Sequence, residues 1–529
     1  MNEILVERGR YFDSVFLMRI SRELEAIPGV RRAVVAMGTP ANLAALESVG
    51  FTLTAAAGPS QGEASAGASP LAGPQAGLRA DDLVTAIDAA DRDAFDAAKR
   101  RLAELLTVGT DDGEKSEDRP TTLDEALAVD AAANLALISV PGAYAAAEAR
   151  RALRRGLHVM LFSDNVSVED EIALKDEAAA RGLLVMGPDC GTAILNGVPL
   201  GFANVVRRGA IGLVGASGTG IQEVSSLIDR LGGGISQAIG TGGRDLSERV
   251  GGRSTLAAID LLASDPATVV LVVVSKAPAQ SVADRIVARL REVGKPAVVQ
   301  FVGASPRAPE GQVLFADTLD TAARAACRLA GVEVPVEATF PNLPRARSQP
   351  ELRRGLRPLR GLFCGGTLAQ EAWVVLRGGG LEVRSNVAVD PALKVKAGAQ
   401  VRGHIIWDLG DDAFTVGRPH PMIEPALRDD LVAAALGDPG VDVVLVDCVL
   451  GYGAHHDPAG SLGAAVVKEK VAGTQGVVIA SITGTERDPQ DYREQRRTLE
   501  AAGILVLDSN AAAARFALEL TKRVGGGGA

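Results

Sequence analysis

Near-continuous apolar runs alternate with amphipathic stretches along most of this chain. Runs at 135–140, 158–162, 183–186, 211–214, 269–274 and 297–301 consist mainly of Val, Leu, Ile, Met and Ala. Strands of parallel sheets are covered on both faces and read this way, without polar alternation. Between them, 143–154, 168–181, 221–231 and 282–293 carry a helical period. Ser167 precedes the second of these, with Glu169 and Asp170 in its first turn, where a cap and the helix dipole favour them. The pattern resumes with strands predicted at 361–363, 404–408, 441–446, 476–481 and 504–507. Helices are predicted at 367–376, 425–435 and 489–502. At the N-terminus the pattern predicts a helix over 14–27, a strand over 32–37 and a helical stretch over 81–106.

Three stretches break the alternation. Residues 55–77 are rich in Ala, Gly, Ser and Pro, 109–119 are charged, and 334–356 carry Pro335, Pro341, Pro344 and Pro350. Such segments bury little, and proline cannot continue an element. The expected organisation is an α/β domain over 1–205 with a flexible stretch at 55–77, a domain over 206–335, a linker over 336–356 and a domain over 357–525. The fold class expected is α/β, with several parallel-sheet, Rossmann-like and flavodoxin-like domains.

Charge and composition then narrow the function. Of 529 residues, 55 are Lys or Arg and 65 are Asp or Glu, a balance of 55 − 65 = −10. Without a basic field, neither nucleic acid nor an anionic membrane surface is an expected partner. The four cysteines stand far apart, so no zinc spacing or disulfide framework is read and no metal site is expected. No basic head with a following apolar stretch marks the start, and no window reaches the ~18 apolar residues of a membrane span. A cytoplasmic protein is expected.

Parallel sheets bind ligands outside the carboxyl ends of their strands, which directs attention to the loops there. In Leu213-Val214-Gly215-Ala216-Ser217-Gly218-Thr219-Gly220 a buried strand opens through glycines and hydroxyls into a helix. Glycines admit an anion to the backbone, and the helix end offers free N–H groups with Ser217, Gly218 and Thr219 around it. A plain tight turn capped by Ser217 or Thr219 explains the same residues. Leu362-Phe363-Cys364-Gly365-Gly366-Thr367 repeats the pattern, so Gly365, Gly366 and Thr367 form a second opening. Two such openings facing each other can hold one anion from two sides. Neither carries the Lys of a nucleotide phosphate loop.

Further candidates are Asp189 and Cys190 in Gly187-Pro188-Asp189-Cys190-Gly191, and Gly242, Gly243 and Arg244 in the next glycine turn. Arg244 can grip a carboxylate or phosphate, or pair with Asp245 or Glu248. Cys190 is read as a nucleophile or as an inert buried thiol. Among the five histidines, His420 and His455 sit in loops after apolar strands and are the candidate proton carriers. A serine-hydrolase elbow is absent, since Thr219 stands where its last glycine is required.

These motifs carry a resemblance. Residues 135–335 resemble the α-subunit of succinyl-CoA synthetase through Val140-Pro141, Met186-Gly187-Pro188-Asp189-Cys190-Gly191, Gly215-Ala216-Ser217-Gly218-Thr219 and Gly240-Thr241-Gly242-Gly243. Residues 360–520 resemble the CoA-ligase domain of that superfamily through Phe363-Cys364-Gly365-Gly366 and Thr483-Gly484-Thr485-Glu486. Nearly the whole chain, including Tyr11-Phe12-Asp13-Ser14 and Gly417-Arg418-Pro419-His420-Pro421, is similar to the FdrA family, a fused branch of the superfamily. The fold implied is that of succinyl-CoA synthetase. The N-terminal domain would hold a degenerate CoA-binding-like Rossmann part, with Ala36-Met37-Gly38-Thr39 in place of its glycine fingerprint.

The synthetases carry a phosphoryl group on a histidine held between two helix N-termini. Here Gly303-Ala304-Ser305-Pro306 stands where that histidine is expected, no His lies between His158 and His404, and no ATP-grasp domain is read. FdrA-like proteins act in purine and allantoin breakdown as one subunit of an oxamate carbamoyltransferase with two other proteins. The resemblance therefore implies an enzyme subunit in an oligomeric complex, with carbamoyl phosphate as a small anionic substrate. It fixes no cofactor, and CoA and ATP stand as candidate ligands. Arg244 or Lys276 would take the oxamate carboxylate. The alternatives are an acyl-CoA synthetase and a non-catalytic scaffold subunit.

Overall fold

The structure, a computed structural model, describes residues 2–8, 14–25, 27–39, 82–108, 120–335, 358–399, 401–415, 419–474 and 476–525, with a few single positions besides. The expected loops at 55–77 and 109–119, the linker at 336–356, and Tyr11, Asp13, Gly417 and Arg418 lie outside the described residues. The chain divides into two units, 1–121 with 416–419, and 122–415 with 420–529.

In the first unit, Leu83–Ala89 is the centre of a three-stranded antiparallel sheet, between Asn2–Glu7 and Val30–Met37. Helices Ser14–Glu25 and Arg92–Val108 cover it, burying Leu17, Ile20, Leu24, Phe95 and Leu102. This corrects the helical reading of 81–106. The run Leu83-Val84-Thr85-Ala86-Ile87 is buried throughout, which suits a central strand, and the helix begins only at Arg92. The antiparallel pairing also departs from the parallel sheet expected for 1–205.

Among its described residues the second unit holds three sheets. A small parallel one pairs Leu135–Ile138, His158–Leu161 and Val185–Met186. A seven-stranded sheet runs Val313–Phe315, Ala297–Val302, Val270–Lys276, Arg208–Ala216, Ile235–Gly240, then Thr192–Leu195 and Val198–Gly201. Its first five strands are parallel and the last two form an antiparallel hairpin on the edge. That hairpin lies before residue 205, so 192–201 belong to the sheet of the domain expected to begin at 206. A six-stranded parallel sheet runs Val383–Ser385, His404–Asp408, Leu359–Phe363, Val443–Val449, Val477–Thr483, Leu505–Leu507. The α/β class with mostly parallel sheets is as expected.

In both large sheets the strand order reverses beside the strand that leads into a glycine opening, Arg208–Ala216 in one and Leu359–Phe363 in the other. Such switch points leave a crevice at the strands' carboxyl ends. Helices Gly218–Arg230, Leu319–Leu329, Gly366–Gly378 and Asn510–Gly525 pack between the sheets and share one core with strand residues of each, including Val274, Val298, Phe363 and Leu445.

Polar locks fix the two sheets in register. Buried Asp488 accepts Asn204 Nδ2 at 2.8 Å, Val205 N at 2.7 Å and Thr485 N at 2.8 Å. Arg230 donates to the carbonyls of Ile482 at 3.1 Å and Asp508 at 2.6 Å. Removing Asp488 would take the acceptor from three donors at a buried site, at about 1–3 kcal/mol each. Asp488→Ala is expected to cost the second unit about 3 kcal/mol or more in urea unfolding. A loss under about 1 kcal/mol would show that the halves are held otherwise.

Candidate functional site at two helix N-termini

The strand Arg208–Ala216 feeds the helix Gly218–Arg230 through Ser217, whose side chain accepts the Gly220 N–H at 3.0 Å. The strand Leu359–Phe363 feeds the helix Gly366–Gly378 through Cys364 and Gly365. Their N–H groups each donate to the buried Asp447 carboxylate at 2.7 Å, which fixes the second opening. The two helix ends meet: Ser217 Oγ and Thr367 Oγ1 share a hydrogen bond of 2.6 Å. Both residues are buried, whereas Gly218, Thr219 and Gly366 remain partly open to solvent. First-turn amides have no acceptor within their own helix, so this junction concentrates N–H groups and partial positive charge.

Charged groups ring the junction. Lys276 ends the strand Val270–Lys276 one position past Ser275, which pairs with Ala216. Its Nζ lies 3.4 Å from where a Cβ on Gly366 would stand, and Asp408 Oδ2 would collide with that Cβ. Burial pushes the Asp408 carboxyl up to about 6, against the pull of Lys276. Asp189 is also pushed up to about 6, by burial and by Asp164, again with Lys276 opposing. Asp189 is solvent-exposed, and the protein packed around it still makes its ionisation harder. One cation thus serves two carboxylates that both resist ionisation.

The remaining candidates fall in different places. Gly242, at φ +86°, packs so closely on Pro188 O that any side chain would strike it, and an added Cβ on Gly243 would come within 3.1 Å of Asp189 Oδ2. The glycine turn therefore seats the Asp189 loop. Cys190 is buried, its thiol facing the Gly240 carbonyl at 3.4 Å, and burial pushes it up to about 12. It is an inert core thiol, a correction to its reading as a substrate group or nucleophile. Arg244 pairs with Glu171 at 3.0 Å and donates to Val166 O at 2.7 Å, rather than with Asp245 or Glu248. Asp245 instead meets the buried Lys175 at 2.7 Å.

His420 packs on Gly410, in the loop after Asp408, and its ring centre lies 6.3 Å from that of Phe202. Its Nδ1 accepts the Met422 N–H at 3.2 Å, and burial lowers it to about 4, so it is neutral at physiological pH. His455 accepts the Asp457 N–H at 3.1 Å and its ring lies tilted against that of His456, centre to centre 4.3 Å, with burial and then His456 lowering its proton affinity. Its backbone N–H donates to Met422 O, two residues on from His420, and neither of these bonds reaches the helix junction. Asp408 and Asp447 were not singled out from the sequence. The signal was there: both are acids at or near the carboxyl end of a predicted parallel strand. Among the described residues, no group of three His, Cys, Asp or Glu is placed to hold a metal ion. No helix of the described residues is long and apolar enough to cross a membrane.

Two family models cover the residues of the junction. The model of the CoA-ligase family matches residues 362–520, and that of the CoA binding domain matches 206–303, the region of Ser217 and Lys276 rather than the 1–205 stretch expected to carry it. A model described as AllF, heavy metal-associated domain, matches 1–62. "Uncharacterized protein YahF" of Escherichia coli (strain K12) is 41% identical over 520 residues, 96% of each chain. "Succinate--CoA ligase [ADP-forming] subunit alpha 2" of Archaeoglobus fulgidus is 28% identical over 188 residues, 35% of this chain and 63% of that subunit. Among solved structures, the apo dinucleotide-forming acetyl-coenzyme A synthetase 1 of Ca. Korarchaeum cryptofilum aligns with 74% of this chain and 83% of its own at 17% identity, with a TM-score of 0.31.

The raised acid at the junction makes a pH prediction. Asp408 binds its proton more tightly folded, at about 6, than at the ordinary 3.8. Its contribution to stability is whole below the ordinary value and is lost as pH rises through about 6. Between these two values wild type is therefore expected to lose more stability than Asp408→Asn, which carries no charge to bury. Parallel urea-unfolding curves for the two proteins across that range would contradict this.

Proposed function

We propose that this chain, which belongs to the family of Escherichia coli YahF, is an acyl-CoA-synthetase-like acyl-transfer protein that seats the phosphate of an acyl phosphate at the two helix ends, a reading its CoA-ligase and CoA-binding regions support. The Ser217–Thr367 bond carries this reading, because it brings two sets of unsatisfied amides to one point. A nucleophile attacks the acyl carbon, the bond from that carbon to the phosphate oxygen breaks, and the electron pair leaves with the phosphate. The nucleophile's proton passes to a base. Amides fixed before the reaction stabilise the charge gathering on the leaving group, and Lys276 adds a full positive charge. Nothing in this step needs a phosphohistidine, and the strand Ala297–Val302 leads here into Gly303-Ala304-Ser305-Pro306.

The matched CoA-binding and CoA-ligase regions favour a thiol acceptor, CoA. A narrower reading makes carbamoyl phosphate the donor and oxamate the acceptor, within a complex of several subunits in the cytoplasm. It is supported by the FdrA-like motifs and by the AllF-type match at 1–62. Its carboxylate partner would be Lys276 rather than Arg244, which Glu171 already occupies.

Titration calorimetry of the full chain with inorganic phosphate tests the seat. Wild type is expected to bind phosphate, and the pair Thr219→Val with Gly366→Ala to weaken binding by about tenfold or more. No binding by wild type, or equal binding by the double variant, would remove the proposal. Incubation with carbamoyl or acetyl phosphate and either CoA or oxamate then separates the acceptors by product mass.

A further inference from the structure

Asp408 ends the strand His404–Asp408 and is 7% exposed. Its Oδ1 accepts the Gly410 N–H at 3.0 Å, and Asn386 brackets its backbone at 2.9 Å on both sides, so the carboxylate is held firmly. Oδ2 is different. It accepts no hydrogen bond among the described residues, and it faces the first residue of the helix Gly366–Gly378 so closely that a methyl there would strike it. An acid serving as a cap would accept a first-turn amide, and Oδ2 takes none. Lys276 faces the same spot from the neighbouring sheet, and no salt bridge joins the two.

Asp408 is nine-tenths buried, while its unpaired Oδ2 stays open to whatever occupies the junction, and such an acceptor is a liability at a seat built for anions alone. The helix end beside it favours its charge, but it repels the oxygens of any anion that offers it no donor. It becomes favourable when the ligand brings a hydrogen-bond donor of its own beside its negative oxygens. We infer that the junction selects small oxyanions carrying an O–H or N–H donor, with Asp408 Oδ2 as the acceptor that reads it. This rests on the reading of the helix ends as an anion seat and specifies its substrate class. Monohydrogen phosphate qualifies and sulfate does not. Among acyl phosphates, one with an amino group on the acyl carbon qualifies, whereas one with a methyl there does not. The charged groups facing Asp408 are Lys276, Asp411 in its own loop and Asp447 on the strand Val443–Val449. The last two are acidic, so they reinforce the preference for a donor.

Calorimetry on the full chain at about pH 8, above the Asp408 value of about 6, compares phosphate with sulfate and carbamoyl phosphate with acetyl phosphate. Wild type is expected to prefer the donor-bearing member of each pair by about tenfold or more. Asp408→Asn offers a donor in place of the acceptor and is expected to bring both ratios to about threefold or less, with sulfate binding gained. Lys276→Met should weaken every anion alike and leave the ratios as they were. Wild-type ratios near one overturn the inference while leaving the seat intact, and need no variant to fold. Retention of the ratios in an Asp408→Asn protein with unchanged circular dichroism overturns it as well. If wild type binds none of the four anions, the seat itself fails, and that outcome is distinct from a loss of selectivity.

Discussion

Two helices meet here with their positive ends together, an arrangement that electrostatics opposes. Each end carries roughly half a positive charge, and nothing within either helix offsets it. The Ser217–Thr367 hydrogen bond cannot hold the ends against one another alone. The shared core of four helices between two sheets does so, with Asp488, Arg230 and Asn204 fastening the loops around it. The negative charge that makes the junction tolerable comes from Asp447, bound to the backbone of the second opening, and from Asp408 beside Gly366.

Several acids of the second unit are buried, and burial makes them hard to ionise. Glu223 and Glu371 lie on the two converging helices themselves. The first accepts Thr483 Oγ1 and Asn510 N, and the second accepts Leu319 N and Asn510 Nδ2. Burial raises both, Glu371 to about 7. Lys175, with Glu171 and Asp245, forms a comparable buried cluster under the glycine turn that seats Asp189. Charges placed this way need complete hydrogen bonding to be tolerated, and they specify a geometry more than they add stability.

Much of the fold was legible because strands buried on both faces leave a plain apolar signature. The strand His404–Asp408 matches the expected 404–408. Legibility failed where burial and polarity disagree. Ile235–Gly240 carries Ser236 and Gln237 inside a strand, and the hairpin Thr192–Gly201 is too short to stand out. Leu83–Ala89 was absorbed into the helical period of the residues after it. At the site, the glycine openings could be read because their chemistry is local. Asp408 and Asp447 show in the sequence only as acids closing predicted strands, since their roles come from those strands being brought beside the openings, 42 and 81 residues on from Gly366 by their numbers.

The junction draws one wall from the stretch matched by the CoA binding domain and the other from the stretch matched by the CoA-ligase family, both on a single polypeptide. Its two walls are therefore always present in equal number and at a high effective concentration of each for the other, whatever the protein's abundance. Dilution cannot take such a centre apart, and a mutation that loosens the contact is opposed by the tether. Separately encoded halves would have to secure the same contact through affinity alone.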